Sequence, residues 1–121
     1  MNIEELKLLA EAATPGPWVS HPKGYYGAVC RADDQYDLVA VTHGQRRNNV
    51  LANEAYIAAA NPAAILELIQ QRDELLAALK DARELVDDWG AYASNYMQEK
   101  HDLAGDLDRL DAAISKVEEQ S

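Results

Sequence analysis

The sequence has one cysteine, few basic residues and no long apolar segment, and each shortage excludes a class of protein. Cys30 alone, among 121 residues, cannot form an internal disulfide or a cysteine-based structural metal site. Lysine and arginine number 11 against 21 aspartates and glutamates, a formal net charge of -10. This balance excludes a general nucleic-acid or membrane-surface binder, because both need a basic surface. With no run of about 18 apolar residues and no basic region of a signal peptide at the N-terminus, the sequence predicts a cytoplasmic protein.

Proline is missing after residue 62, and glycine is scarce in the second half of the chain. All four prolines lie at or before Pro62, and four of the six glycines lie in the first 60 residues. Negative charge has the opposite distribution, since residues 1–60 carry a net charge of -2 and residues 61–121 carry -8. A turn-rich segment followed by a proline-free acidic one predicts two parts. They are an α+β head over residues 1–66 and a coiled-coil oligomerisation helix over residues 67–121.

Two helices are predicted in the head, with a third starting at its end. Asn2 and the acid three residues later have the spacing of a helix N-cap and its reciprocating partner. Residues 3–13 then repeat apolar side chains every three or four positions, which indicates a helix. A second short helix is predicted over residues 50–60. Asn61 followed by Pro62 predicts a new cap and first helical residue, because the amide that proline lacks is unpaired at that position.

Three short strands are predicted between the first two helices. A proline-rich turn leads into an extended segment at Trp18, a second strand covers Ala28–Arg31, and residues 36–42 have the strongest strand pattern in the sequence. Strands this short favour an antiparallel sheet that needs a helix against one face to be stable. The predicted fold class is therefore α+β, with a short antiparallel sheet and helices followed by a long C-terminal coiled-coil helix.

Apolar residues follow a heptad pattern through the C-terminal half. Fifteen positions from 68 to 117, at alternating steps of four and three, contain thirteen apolar side chains in one phase. This predicts a continuous helix of roughly 75 Å, whose apolar stripe needs a partner helix. We therefore expect the protein to associate with itself, as a dimer or a tetramer. The residues predicted to form that interface are Leu75, Leu79, Val86, Trp89, Tyr96, Leu103, Leu107, Leu110 and Ile114.

A fold-back near Gly90 is the alternative arrangement of this tail. Gly90 could close a helix, and Asn95 could take part in a turn. The heptad phase continues through Trp89, Ala93 and Tyr96. That continuity favours the single helix, because a hairpin has no need to keep one register.

A small group of basic and aromatic residues is a candidate ligand site. Arg46, Arg47 and Asn48 could bind a phosphate. Tyr25 and Tyr26 could stack on a base. A solvated loop that pairs with acidic residues of a neighbouring chain explains the same residues.

The sequence has no catalytic or metal-binding constellation. His21, Cys30 and His43 match no known spacing of metal ligands. Cys30 follows an alanine and a valine in a strand-like segment, which is typical of a small buried side chain. We therefore predict no metal, no cofactor and no enzymatic activity.

The acidic residues of the tail lie mainly off the apolar stripe, as solvated residues do. The alternative interpretation is that they mimic the phosphates of a nucleic acid, although basic residues interrupt the row of negative charges.

Two segments together resemble a known family. Residues 13–18 read ATPGPW soon after a short helix, and residues 53–66 read NEAYIAAANPAAIL and lead into a leucine-rich helix. The pair resembles the Ead-like early-region proteins of lambdoid phages and prophages, from residue 1 to about residue 70, with the sheet region divergent. The resemblance implies a small accessory product of a phage early region, linked to the choice between lysis and lysogeny or to interference with the host. It also implies a tail that tends toward coiled coil, and it supplies no catalytic residues.

These observations favour a non-enzymatic phage or prophage protein that homo-oligomerises and binds a host protein. Its role would be host takeover, regulation of lysis and lysogeny, or inhibition of a defence factor. The alternative is an oligomeric binder, or sponge, of a phosphorylated nucleotide signalling molecule.

Overall fold

The computed structural model describes residues 2–23, 27–43 and 47–119, and it confirms the predicted α+β class. The chain divides into two compact units. Residues 4–69 form the head unit, and residues 70–121, together with residues 1–3, form the tail unit. In chain order the elements are α1 (Ile3–Ala12), β1 (Trp18–Ser20), β2 (Ala28–Arg31), β3 (Leu38–Val41), α2 (Arg47–Ala59), α3 (Pro62–Ala91), α4 (Asn95–Lys100) and α5 (Leu103–Glu118).

The head unit contains the predicted three-stranded antiparallel sheet, in the order β1-β2-β3. Val19 pairs with Cys30 across β1 and β2, and Val29 pairs with Ala40 across β2 and β3. The register of the second pair of strands shifts between Val29 and Cys30. These two residues have no exposed surface. The middle strand is therefore the centre of the head core, with α2 packed against the sheet.

Hydrogen bonds attach α2 to the sheet. The Gly27 N–H donates to the Glu54 carboxylate at 2.7 Å, and the Thr42 hydroxyl donates to the Val50 carbonyl at 3.1 Å. Gly27 has a φ of 79°, and a Cβ at this position would lie 2.6 Å from the Thr42 carbonyl oxygen. The junction between β2, β3 and α2 therefore requires a glycine.

The start of α3 confirms the cap predicted at Asn61 and Pro62. The Asn61 Oδ1 accepts a hydrogen bond from the Ala64 N–H at 3.2 Å, and Pro62 is the first helical residue. Asn61 also lies against Gly16, where an added Cβ would be 3.0 Å from the Asn61 Oδ1. The two segments that carry the family resemblance thus contact each other within the head unit.

The continuous helix predicted over residues 67–121 is not confirmed. The structure divides this region into α3, the short α4 and α5. Arg72 contacts Val117 and Arg83 contacts Asp111, so α5 runs antiparallel to α3. The tail unit is therefore a helical hairpin, which is the fold-back that the sequence offers as the alternative.

Polar groups at the fold-back explain why the helix ends there. The Gln98 side-chain amide donates to the carbonyl oxygens of Gly90 and Ala93, at 2.8 and 3.0 Å, and so pairs carbonyls at the end of α3. Ser94 caps α4, and Asp102, with a φ of 49°, caps α5. Caps of this kind depend on single polar side chains, and the spacing of the apolar residues does not reveal them.

Candidate interaction surface

Helix α3 carries two stripes, and α5 covers one of them, which we call the inner stripe. Its residues recur at steps of four and three and are half-buried or buried: Arg72, Leu76, Leu79, Arg83, Val86 and Gly90. The half-buried apolar residues of α5 are Leu103, Leu107, Leu110, Ile114 and Val117. Together these two sets form the interior of the hairpin.

The two arginines of the inner stripe bind α5 at two separate points. The Arg83 guanidinium binds the Asp111 carboxylate with two hydrogen bonds, Nε to Oδ1 at 2.8 Å and Nη2 to Oδ2 at 3.3 Å. The hydrogen bond from Arg83 holds the pKa of Asp111 below its ordinary value. Arg72 donates from Nη2 to the Val117 carbonyl oxygen at 2.8 Å, near the C-terminal end of α5. A shift of α5 by one turn would break both sets of bonds.

Gly90 allows α3 and α5 to meet closely at the fold-back. It is buried, and a Cβ added there would collide with the side chain of Leu103. Leu103 is the first residue of α5, so the missing side chain of Gly90 sets how near the two helices come at this end.

The predicted oligomer interface divides between the interior of the hairpin and its surface. Six of its nine residues are half-buried in the tail unit: Leu79, Val86, Leu103, Leu107, Leu110 and Ile114. The other three, Leu75, Trp89 and Tyr96, are exposed. Successive positions of the predicted heptad pattern alternate between two neighbouring stripes of α3. Each stripe therefore contributes one residue to the pattern every seven residues. Heptad spacing alone therefore places residues of a covered stripe and residues of an exposed stripe in one predicted interface.

The second stripe of α3, which we call the outer stripe, is exposed along its length. Its residues in α3 are Leu75, Ala78, Ala82, Leu85 and Trp89, at alternating steps of three and four, and Tyr92, in the turn just after α3 ends at Ala91, continues the spacing. Leu75 and Leu85 are 71% and 58% exposed. Trp89 and Tyr92 are 76% and 89% exposed. Contiguous exposed apolar patches are found at contacts with proteins, membranes or ligands. The predicted interface contains only Leu75 and Trp89 of this stripe, and a heptad count in a second phase, through Ala78, Leu85 and Tyr92, finds the rest.

The predicted phosphate site lies largely outside the described residues. Tyr25, Tyr26 and Arg46 all fall there. Arg47 is the first residue of α2 and is exposed. Asn48 follows it in α2, with its side chain outside the described part of the chain. The nucleotide site therefore stays a prediction.

The structure places the histidines and the cysteine of the head in different surroundings. Cys30 has no exposed surface, so its thiol cannot reach a substrate in this conformation. His21 is buried, and its Nδ1 accepts a hydrogen bond from the Lys23 N–H at 3.2 Å. His43 is exposed. Among the described residues, no group of three or more histidine, cysteine, aspartate or glutamate side chains is placed to hold a metal ion.

A groove in the head unit lies where the two resemblance segments meet. It has a volume of about 360 Å³ and is lined by α1, the turn at Pro15 and Gly16, and the start of α3. Its one charged lining residue is Glu11. The sequence did not indicate this groove, because the segments that form it are far apart along the chain.

Two broader findings bear on function. Across residues 2–23, 27–43 and 47–119, every helix is too short or too polar to cross a membrane. Comparison of the chain with protein-family models, with curated proteins and with solved structures finds no match.

Proposed function

We propose that this protein is a non-enzymatic accessory protein of a phage or prophage that binds a host protein in the bacterial cytoplasm. The outer stripe of α3 carries the proposal. Its six apolar positions stay exposed although α3 already has a covered stripe against α5. Covering apolar surface favours a contact, because it removes that surface from water. A helix with apolar residues at heptad spacing is suited to pairing with another helix.

The family resemblance supports the phage origin and the type of activity. Residues 13–18 and 53–66 carry that resemblance, and they lie together in the head unit. The roles that it implies are host takeover, lysis-lysogeny regulation and inhibition of a defence factor. A binding surface for a host protein can serve each of these roles.

A second copy of the chain is the rival occupant of the same surface. Six of the nine residues predicted for the oligomer interface are half-buried inside the hairpin. A dimer or tetramer formed through α3 therefore has to use the outer stripe. A host protein and a second copy would compete for it.

Affinity capture with matched variants tests the proposal. The tagged full chain is compared with the double variant Leu75→Ser/Leu85→Ser in capture from a bacterial lysate, followed by quantitative proteomics. The control is Leu8→Ser/Leu9→Ser, because these leucines of α1 are also exposed. Circular dichroism checks that all three chains keep the same helix content.

We expect the wild type and the control to retain one host protein in stoichiometric amount, and the outer-stripe variant to retain at least tenfold less. Retention of that protein in equal amounts by all three chains would refute the proposal.

A further inference from the structure

A row of carboxylates borders the outer stripe. Glu74, Asp81 and Asp88 recur every seven residues, and each directly precedes a residue of the outer stripe. Since a helix turns by about 100° per residue, this row lies along the flank of the outer stripe that faces away from the inner stripe. All three side chains are exposed.

The ion pairs of the tail unit lie away from the carboxylate row. Within the described part of this unit, the ion pairs are Arg72–Asp73, Lys80–Glu118, Arg83–Asp87, Arg83–Asp111 and Arg109–Asp106. None of them involves the carboxylate row. Glu74 accepts a hydrogen bond from the neutral Gln70 side chain at 3.0 Å. The row therefore presents negative charge beside an apolar surface.

A second copy of the chain fits this surface poorly. If two outer stripes paired in antiparallel fashion, the carboxylate rows of the two chains would face each other. In a parallel pair, the carboxylate row of each chain would face the flank of its partner's outer stripe that lies beside the inner stripe. The partner's α5 lies on that flank. Like charges on the flanks of a helix pair disfavour pairing. The net charge of -10 adds a longer-range repulsion between copies.

We infer that the outer stripe binds a basic amphipathic helix of another protein. The inference rests on the proposed function and names the class of its partner. The apolar residues of that helix would pack on the outer stripe, and its lysines or arginines would face Glu74, Asp81 and Asp88. From Leu75 to Tyr92 the surface is about 26 Å long, which accommodates a helix of roughly 18 residues. The net negative charge of the chain speeds the approach of such a partner.

Two synthetic peptides test the charge of the partner. The basic peptide is an 18-residue helix former with leucine at heptad positions and lysine on both flanks, and the acidic peptide has glutamate in place of each lysine. Fluorescence anisotropy measures the binding of each labelled peptide to the full chain. We expect the Kd of the basic peptide to be at least tenfold lower, and this preference to shrink as salt is raised.

Variants of equal charge separate the row from the general acidity of the chain. Glu74→Lys/Asp81→Lys/Asp88→Lys removes the row, and Glu99→Lys/Asp108→Lys/Glu119→Lys makes the same change in net charge at other exposed positions of the tail unit. The first variant should bind the basic peptide at least tenfold more weakly than the second. Leu75→Ser/Leu85→Ser should lose binding of the basic peptide, with helix content again checked by circular dichroism.

The outcomes distinguish the two proposals. If the row variant and its charge-matched control weaken the basic peptide equally, the basic partner is wrong while the outer stripe can still be a protein-binding surface. If Leu75→Ser/Leu85→Ser binds the basic peptide like the wild type, the outer stripe is not the peptide's site. A dimer at pH 7 that light scattering detects, and that this leucine variant abolishes, would assign the surface to a second copy and overturn the inference.

Discussion

Gly27 is a position where one side chain would disturb two contacts of the head core. Its φ of 79° strains any residue with a Cβ, and that Cβ would meet the Thr42 carbonyl oxygen and the Val50 side chain. We expect Gly27→Ala to lower the free energy of unfolding of the head unit by at least about 2 kcal/mol. Urea denaturation followed by Trp18 fluorescence measures it, in a Trp89→Phe background that removes the other tryptophan of the chain.

Glu54→Gln is the matched control for that measurement. It keeps an acceptor for the Gly27 N–H but removes the charge, without adding backbone strain. It should therefore cost less than Gly27→Ala. A Gly27→Ala protein as stable as the wild type would show that the junction of β2, β3 and α2 tolerates a Cβ.

Asp111 makes the stability of the tail unit depend on pH in the acid range. The hydrogen bond from Arg83 lowers the pKa of Asp111 in the folded chain, relative to an ordinary value of 3.8. The ion pair therefore stabilises the hairpin above that ordinary value, and the stabilisation is lost as pH falls through the lower, folded pKa. Urea denaturation of the wild type and of Asp111→Asn between pH 6 and pH 2 measures the effect.

The stability difference between those two chains should shrink as the pH falls. Asp108→Asn is the control, because Asp108 is an exposed acid of α5 with no ion pair among the described residues. The difference is expected to be modest, since surface ion pairs are screened by solvent. A gap that stays constant down to pH 2 would rule out the Arg83–Asp111 bond as its source.

Helix starts and strands that depend on neighbouring residues could be predicted from the sequence. The fold-back of the tail could not be predicted in this way. The start of α3 depends on Asn61 and Pro62, two adjacent residues with one physical role each. The sheet follows from short apolar runs between turn residues. The end of α3 depends on Gln98, Ser94 and other polar contacts made after the chain has turned.

The candidate surface on α3 could be predicted only in part. A helix with two neighbouring apolar stripes gives a strong heptad count in more than one phase. Which stripe is covered depends on where α5 packs, and the Arg83–Asp111 bond across the hairpin shows that α5 lies on the inner stripe. Heptad spacing therefore places Leu75, Trp89 and Tyr96 in one set with residues that are half-buried.

Closure of the hairpin should depend on the size of residue 90. We expect Gly90→Val to lower the free energy of unfolding of the tail unit by about 1–3 kcal/mol, because the added atoms collide with Leu103. Ala91→Val is the control at the next position, where the side chain is exposed. Urea denaturation followed by Trp89 fluorescence, in a Trp18→Phe background, compares them. Equal losses in the two variants would mean that helix propensity, and not the contact with Leu103, sets the cost.

For the whole molecule, net charge and exposed apolar surface oppose each other. The formal charge of -10 at pH 7 makes copies repel one another, and the sequence pI is about 4.6. We expect self-association to rise as the pH is lowered from 7 toward that value, because the repulsion between copies falls while the outer stripe stays apolar. Static light scattering as a function of pH measures it.

Leu75→Ser/Leu85→Ser should reduce that association, and the α1 variant Leu8→Ser/Leu9→Ser should reduce it less. If the two variants associate equally with the wild type at every pH, the outer stripe is not the surface involved.

The complete burial of Cys30 gives the head unit an internal reporter of transient opening. A thiol reagent can modify the protein only in molecules whose middle strand has separated from its neighbours, so the labelling rate measures how often that happens. The tail unit contains no cysteine, and its own fluctuations leave the signal unchanged. Where opening and closing are fast, a loss of 2 kcal/mol in Gly27→Ala corresponds to roughly thirtyfold faster labelling. Intact-mass spectrometry follows the reaction as a single added group, without a probe on the molecule's surface.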